Sequence, residues 1–366
     1  MGPFPHDAPP AAITADNPMG TDGFAFVAFA DPEPARLHAL FTTMGFSAVA
    51  RHRRKRITAW RQGAVTFLVC EQPDGHAASF AAAHGPSVPA MGFRVVDAAH
   101  AHRRALALGA EPAPDDRDLP WPAIIGIGGS LLYFVDRDED PAEWQGDPAA
   151  RPDGLGLHYI DHLTHNVRRG RMDHWSDFYA RLFNFRQIRY FDIEGRLTGL
   201  TSRALTSPDG RIRIPINESA DDRSQIEEYL RDYRGEGIQH IALGCRDVYA
   251  SVEALRAAGL GFMPTPPATY YERVDTRLPG HGEDIARLAR TGILIDGEGV
   301  EGERGARLLL QVFSRTVIGP VFFEFIERKG DDGFGEGNFR ALFESIEEDQ
   351  IRRGVLKGDA TSPRPP

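Results

Sequence analysis

Residues 90–110, AMGFRVVDAAHAHRRALALGA, and residues 240–260, HIALGCRDVYASVEALRAAGL, carry one pattern twice: an apolar strand, an aspartate at the turn, then an amphipathic helix. The repetition extends outward in both directions. GFAFVAFA (23–30) precedes the helical PEPARLHALFTTMGF (32–46), as IDHLTHNV (160–167) precedes MDHWSDFYARLFNF (172–185). Each half closes on an apolar strand with a matching end, LLYFVDR (131–137) and FFEFIER (322–328). An internal repeat constrains a fold more than local propensity does. The reading is an α+β protein of two tandem duplicated domains. Each is built from paired βαβββ units whose strands curl into a half-open mixed β-barrel with helices outside.

The polar stretch DRDEDPAEWQGDPAARPDG (136–154) interrupts the apolar patterning and reads as the linker between domains at 19–135 and 155–357. Residues 1–18 and 358–366, rich in Pro, Ala and small polar side chains, read as disordered tails. A length of 366 residues with 42% apolar content suits two cores better than one. The formal charge of −10 removes any general electrostatic reason to bind nucleic acid or anionic lipid. Cys70 and Cys245 stand far apart, so neither a disulfide scaffold nor a zinc cluster is expected. No run approaches the roughly 20 apolar residues that span a bilayer, and the first residues lack a signal-peptide order, so a cytoplasmic location is the expectation.

Superposing the halves in sequence sets His162 opposite Phe26, His240 opposite Ala90 and Glu324 opposite Tyr133. Three potential ligands in one half meet three non-ligands in the other. A lone histidine in an apolar strand is most often a hydrogen-bonded core residue, and an ionised carboxylate between Phe323 and Phe325 needs a partner. Together, two imidazoles and a carboxylate on three strands form the facial triad suited to iron(II) with open positions. Strand alternation sets Ile160, His162 and Thr164 on one face, and Phe322, Glu324 and Ile326 on one face. His158, His165, His174 and His281 read as surface residues or as neighbours of the ligands.

The segments IDHLTHNV, TSPDGRIRIPINE, SQIEEYL, GEGIQHIAL, LLLQVFS, GPVFFEFIERKGDDGFGEGNF and LFESIEEDQIRRGVL resemble those of the 4-hydroxyphenylpyruvate dioxygenases, a family of the vicinal oxygen chelate superfamily. The resemblance is strong from Gly156 to Leu356 and weaker over residues 18–135. It implies one iron(II) per chain on His162, His240 and Glu324, with molecular oxygen as co-substrate and no 2-oxoglutarate. It implies a polar network of Ser202, Asn217, Gln225, Gln239 and Gln311 that orients 4-hydroxyphenylpyruvate, and pocket walls from Phe313, Phe322, Phe334, Phe339 and Pro215. Its reaction is oxidative decarboxylation and ring hydroxylation to homogentisate in tyrosine and phenylalanine catabolism, by a homodimer or tetramer. Arg168 stands where members often carry tyrosine. The apolar spacing of residues 338–353 reads as an amphipathic helix covering the pocket, hinged on GDDGFGEGN. Alternatives left open are a 4-hydroxymandelate synthase, an extradiol dioxygenase and a non-enzymatic ligand-binding protein of the same fold.

Overall fold

The computed structural model describes residues 9–136, 143–194, 199–220, 222, 224–299, 305–338 and 341. The chain divides into two compact units, one of residues 1–262 with 313–326 and a second of residues 263–312 with 327–366.

The first half supplies strands β1 (Thr21–Ala30), β2 (Ser47–His52), β3 (Ile57–Gln62), β4 (Val65–Cys70), β5 (Ser87–Val95), β6 (Ala123–Ile125), β7 (Leu131–Val135) and β8 (Trp144–Gly146). They order as β6-β7-β5-β1-β4-β3-β2-β8, with helices α1 (Ala35–Thr43), α2 (His76–His84) and α3 (Ala98–Ala107) between them. The second half follows with β9 (Leu157–Val167), α4 (Met172–Phe183), β10 (Arg186–Glu194), β11 (Gly199–Thr206), β12 (Arg213–Ser219), α5 (Gln225–Asp232), β13 (Gly237–Cys245) and α6 (Val248–Ala257). In the second unit lie α7 (Ala268–Glu272), α8 (Val274–Arg277), α9 (Ile285–Thr291) and β14 (Leu294–Glu298), which pairs antiparallel with β15 (Arg307–Phe313). The last strand is β16 (Phe322–Lys329). The sheet order β10-β11-β12-β9-β13-β16 repeats β2-β3-β4-β1-β5-β7 of the first half.

The repeat holds residue by residue. Gly92 pairs with Phe26 on one side and Tyr133 on the other, and Ala242 pairs with His162 and Glu324 in the same way. The turn aspartates cap their helices as the sequence suggests: Asp97 accepts from His100 N and Asp247 from Ala250 N. In both halves the strand that follows α3 or α6 is reduced to a single bridge, Pro112 to Ile124 and Phe262 to Ser314. The halves differ in two places. Only the second inserts α7, α8, α9 and β14 before its last two strands. Within the stretch read as linker, Trp144–Gly146 forms β8 against β2, with Trp144 edge-on to His52.

In the first half the sheet's inner face is filled with carbon. The Phe26 ring stacks on Trp121 at 5.7 Å and lies 5.8 Å from Tyr133, and a Cβ on Gly92 would stand 2.6 Å from it. Only glycine leaves that ring room. Phe323, on the opposite face of β16 from Glu324, packs against Phe29 and Phe67 of the first half, and Phe325 against Phe262. Both rings are fully buried. Replacing Phe323 with alanine should therefore lower stability by about 3–5 kcal/mol, read as a fall in the urea midpoint; an unchanged midpoint would contradict this role of the aromatic cluster.

Candidate metal centre

Three neighbouring strands, β9, β13 and β16, converge their side chains over Ala242. Adjacent strands lie about 4.8 Å apart, so His162 and Glu324 start two strand spacings from each other, with Ala242 between them. Because Ala242 projects only a methyl group, both longer side chains reach across it. His240, two residues along β13 on the same face, completes the triangle. His162 Nε2 stands 3.2 Å from Glu324 Oε2, His240 Nε2 stands 3.4 Å from the same oxygen, and the two Nε2 atoms are 3.3 Å apart. Two ligands about 2.1 Å from an octahedral cation and at right angles are about 3.0 Å apart, so this is a facial set at slightly relaxed spacing. Among the described residues these three form the one group of such ligands close enough to hold a metal.

The hydrogen bonds on the far sides of both rings fix what the near sides present. His162 Nδ1 donates to Asp161 Oδ1 at 2.8 Å and His240 Nδ1 donates to Gln239 Oε1 at 2.9 Å. With Nδ1 the donor on both rings, each Nε2 turns a lone pair toward the point that the Glu324 carboxylate also faces. Glu324 is 3% exposed, and its Oε1 has no hydrogen-bond partner among the described residues. Such a cluster of electron-pair donors in low dielectric fits a cation. Without one, the carboxylates act on the imidazoles. Burial alone would depress His162, but the Glu324 and Asp161 carboxylates outweigh it and raise its pKa above 6.5. Burial opposes ionisation of Glu324 as well, yet the two imidazoles hold its pKa down to about 2. Burial lowers His240.

Around this centre Phe322 stacks on the His240 ring at 4.9 Å, and Phe313 meets it edge-on at 6.4 Å. Ser202, Asn217 and Asn166 lie in register across β11, β12 and β9, and Asn217 Nδ2 reaches Asn166 Oδ1 at 3.4 Å. This polar row shares the ligand-bearing face of β9 with the buried Thr164. Pro215 is buried on β12 opposite Ala204. Gln239 stands beside His240 as its partner. Gln225 is the exposed first residue of α5. In the second unit, Gln311 is buried on β15 with Oε1 unpartnered among the described residues, and Arg328 lies over the Phe334 ring. Phe339 and nearly all of the expected covering helix at 338–353 lie outside the described residues. The loop before it is anchored: Gly337 N donates to Asp296 Oδ2 at 2.7 Å, and the buried Asn338 accepts from Tyr270 OH at 2.5 Å.

Two histidines sit deeper than expected. His165 is fully buried on the other face of β9 against Tyr179 OH at 2.7 Å, and burial depresses its pKa to about 3. His281 is buried and bonds Asp275. His158 bonds Arg246, and His174 lies edge-on to Trp175. Sequence reasoning missed Asp161 and Arg213, both buried near His162 with an Arg213 Nη1 to Asp161 Oδ2 distance of 3.5 Å. The available signal was the rarity of charged side chains in strands otherwise apolar enough to be buried.

Residues 15–146 match the family "Hydroxyphenylpyruvate dioxygenase, HPPD, N-terminal", and residues 159–284 match the "Glyoxalase/Bleomycin resistance protein/Dioxygenase superfamily". The chain is 56% identical over 359 residues to Hemolysin VllY of Vibrio vulnificus, covering 94% of this chain and 99% of that protein. It is 54% identical over 358 residues to the 4-hydroxyphenylpyruvate dioxygenase of Pseudomonas aeruginosa, with the same coverage. A solved structure of a mutant 4-hydroxymandelate synthase from Streptomyces coelicolor superposes with a TM-score of 0.76 at 26% identity, over 91% of this chain and all of that one.

The raised His162 sets the pH dependence of metal uptake. A ligand must be deprotonated to bind, so a cation displaces one proton from His162, while Glu324 stays ionised down to about pH 2. Cobalt(II) affinity should fall about tenfold per pH unit as pH drops below the raised His162 value. Chelator competition at a series of pH values would check this, and a flat profile would contradict the proton's place on His162.

Proposed function

The chain belongs to the 4-hydroxyphenylpyruvate dioxygenase family, and on that premise we propose that it converts 4-hydroxyphenylpyruvate and oxygen to homogentisate and carbon dioxide in tyrosine and phenylalanine catabolism. The observation that carries this reading is the meeting of His162, His240 and Glu324 donor atoms within 3.4 Å of one another on a buried face. Two imidazoles and one carboxylate leave a cation with net positive charge and open positions, which suits iron(II) and a bidentate 2-oxo acid anion. Iron(II), when bound, supplies the oxidative decarboxylation and the ring hydroxylation. Because the substrate carries its own 2-oxo acid, no 2-oxoglutarate enters the balance: one oxygen atom goes to the ring and one to the new carboxylate.

The chain's own residues orient and shield. Phe313 and Phe322 crowd one side of His240, which supports their role as walls that keep water from the reacting centre. The row Ser202, Asn217, Asn166 offers neutral donors and acceptors to a phenol without fixing a charge beside the ring. Gln311 is buried and its Oε1 has no hydrogen-bond partner among the described residues, which leaves that oxygen able to accept one. In this reading the metal-free half at 19–135 is the carbon-filled copy of the catalytic half at 155–357, one iron is held per chain, and the protein is cytoplasmic and a homodimer or tetramer. Among the described residues no helix is long and apolar enough to cross a membrane.

The higher identity to a 4-hydroxyphenylpyruvate dioxygenase, 54% against 26% to a mutant 4-hydroxymandelate synthase, favours homogentisate as product. The test is anaerobic loading with iron(II), then 4-hydroxyphenylpyruvate and oxygen, with the product identified by mass and chromatography. Wild type should yield homogentisate and Glu324→Ala none. 4-Hydroxymandelate from wild type would keep the metal site and overturn the ring hydroxylation, and no product from folded, iron-loaded wild type would overturn the substrate.

A further inference from the structure

Neighbouring side chains on a regular strand point to opposite faces, so Asp161 and His162 should not meet. They meet at 2.8 Å because β9 is bulged at Asp161: Ala242 pairs with His162 and Leu243 with Ile160, leaving Asp161 as the extra residue. Residues 160 and 162 therefore do not share a simple alternating face. A second bulge on β13 does the same at the other histidine. Ile238 pairs with His165 and His240 with Thr164, so Gln239 is the extra residue, and its side chain reaches the His240 ring.

Both irregularities recur in the first half. The β1–β5 register shifts between Phe24 and Phe26 and again between Ala28 and Ala30. By the offsets of the repeat, Ala25 stands for Asp161 and Pro89 for Gln239, and neither side chain can accept a hydrogen bond. The bulges thus belong to the fold, whereas the acceptor side chains accompany the ligands.

We propose that Asp161 is the positioning residue of the metal centre, a bulged carboxylate that holds His162 with Nδ1–H outward and Nε2 toward the cation, and that Arg213 holds Asp161 in turn. Asp161 is 1% exposed, and Arg213 Nη1 and Tyr159 OH each lie 3.5 Å from its Oδ2, while Oδ1 faces the ring. The two carboxylate oxygens are thereby divided between the ligand on one side and the groups that anchor it on the other. A carboxylate behind a metal-bound imidazole fixes the tautomer and raises the ring's basicity. The inference rests on the triad holding a metal.

The test uses the full chain loaded with cobalt(II), reading affinity by chelator competition and the paramagnetically shifted exchangeable Nδ1–H resonances by proton NMR. Wild type should show two such resonances, for His162 and His240. Asp161→Ala should bind about 10–100-fold more weakly and lose the His162 resonance, while that of His240 stays. Asp161→Asn preserves shape and an acceptor oxygen, so it keeps the assay decisive if the alanine variant does not fold; its His162 resonance should shift, with a smaller loss of affinity. An Asn variant with the wild-type resonance position and affinity within about twofold would overturn the role of Asp161. Wild type that binds cobalt(II) with no shifted histidine resonances would instead overturn the triad as the metal site.

Discussion

Two imidazole lone pairs and a carboxylate, held within 3.4 Å of one another in a buried space, repel unless a positive charge lies between them. Much of the second half serves that constraint. The three strands must be neighbours, so that two ligands come from the flanks and one from the centre. The central strand must carry a small residue, Ala242, where the flanking side chains cross. Behind each histidine an oxygen must accept Nδ1–H, or the lone pair would sit on the wrong nitrogen. Without a metal, the Glu324 and Asp161 carboxylates outweigh burial and favour a protonated His162, so metal uptake is set in competition with a proton.

The first half shows what the same backbone does when that demand is absent. Gly92 takes the place of Ala242, and the Phe26 ring lies over it. Tyr133, where Glu324 would be, turns its hydroxyl to Leu119 N. Apolar burial fills one copy of the fold and ligand repulsion shapes the other. The shared aromatic cluster on the far face, Phe29, Phe67 and Phe323, ties β16 to the first half within the first unit. Alternation along β16 then makes the packing of Phe323 and Phe325 the support on which Glu324 is aimed.

Gly92 and Ala242 also explain why the duplicated halves could diverge without changing register. Both positions face two side chains arriving from opposite strands, and both are small enough to let them meet. What meets there, a ring over an aromatic phenol or an imidazole beside a carboxylate, is decided by side chains alone.

The duplication, the turn aspartates Asp97 and Asp247, and the candidate ligands His162, His240 and Glu324, whose donor atoms the fold brings together, were legible in the sequence. Each follows from periodicity two or 3.6, or from a polar residue where its repeat partner is apolar, and these are local facts of the chain. The partners of the ligands were not legible. Strict alternation puts Asp161 on the face away from His162, and only the inter-strand register shows the extra residue that turns it back. The same holds for Gln239, whose sequence reading as part of a substrate network gave no hint of its bond to His240 Nδ1. His165 read as peripheral because neighbouring strands and Tyr179, distant in sequence, are what bury it. The amino-acid order by itself determined which side chains carry chemistry. Tertiary structure decided which of their atoms face one another, because a bulge is a property of two paired strands and cannot be read from either alone.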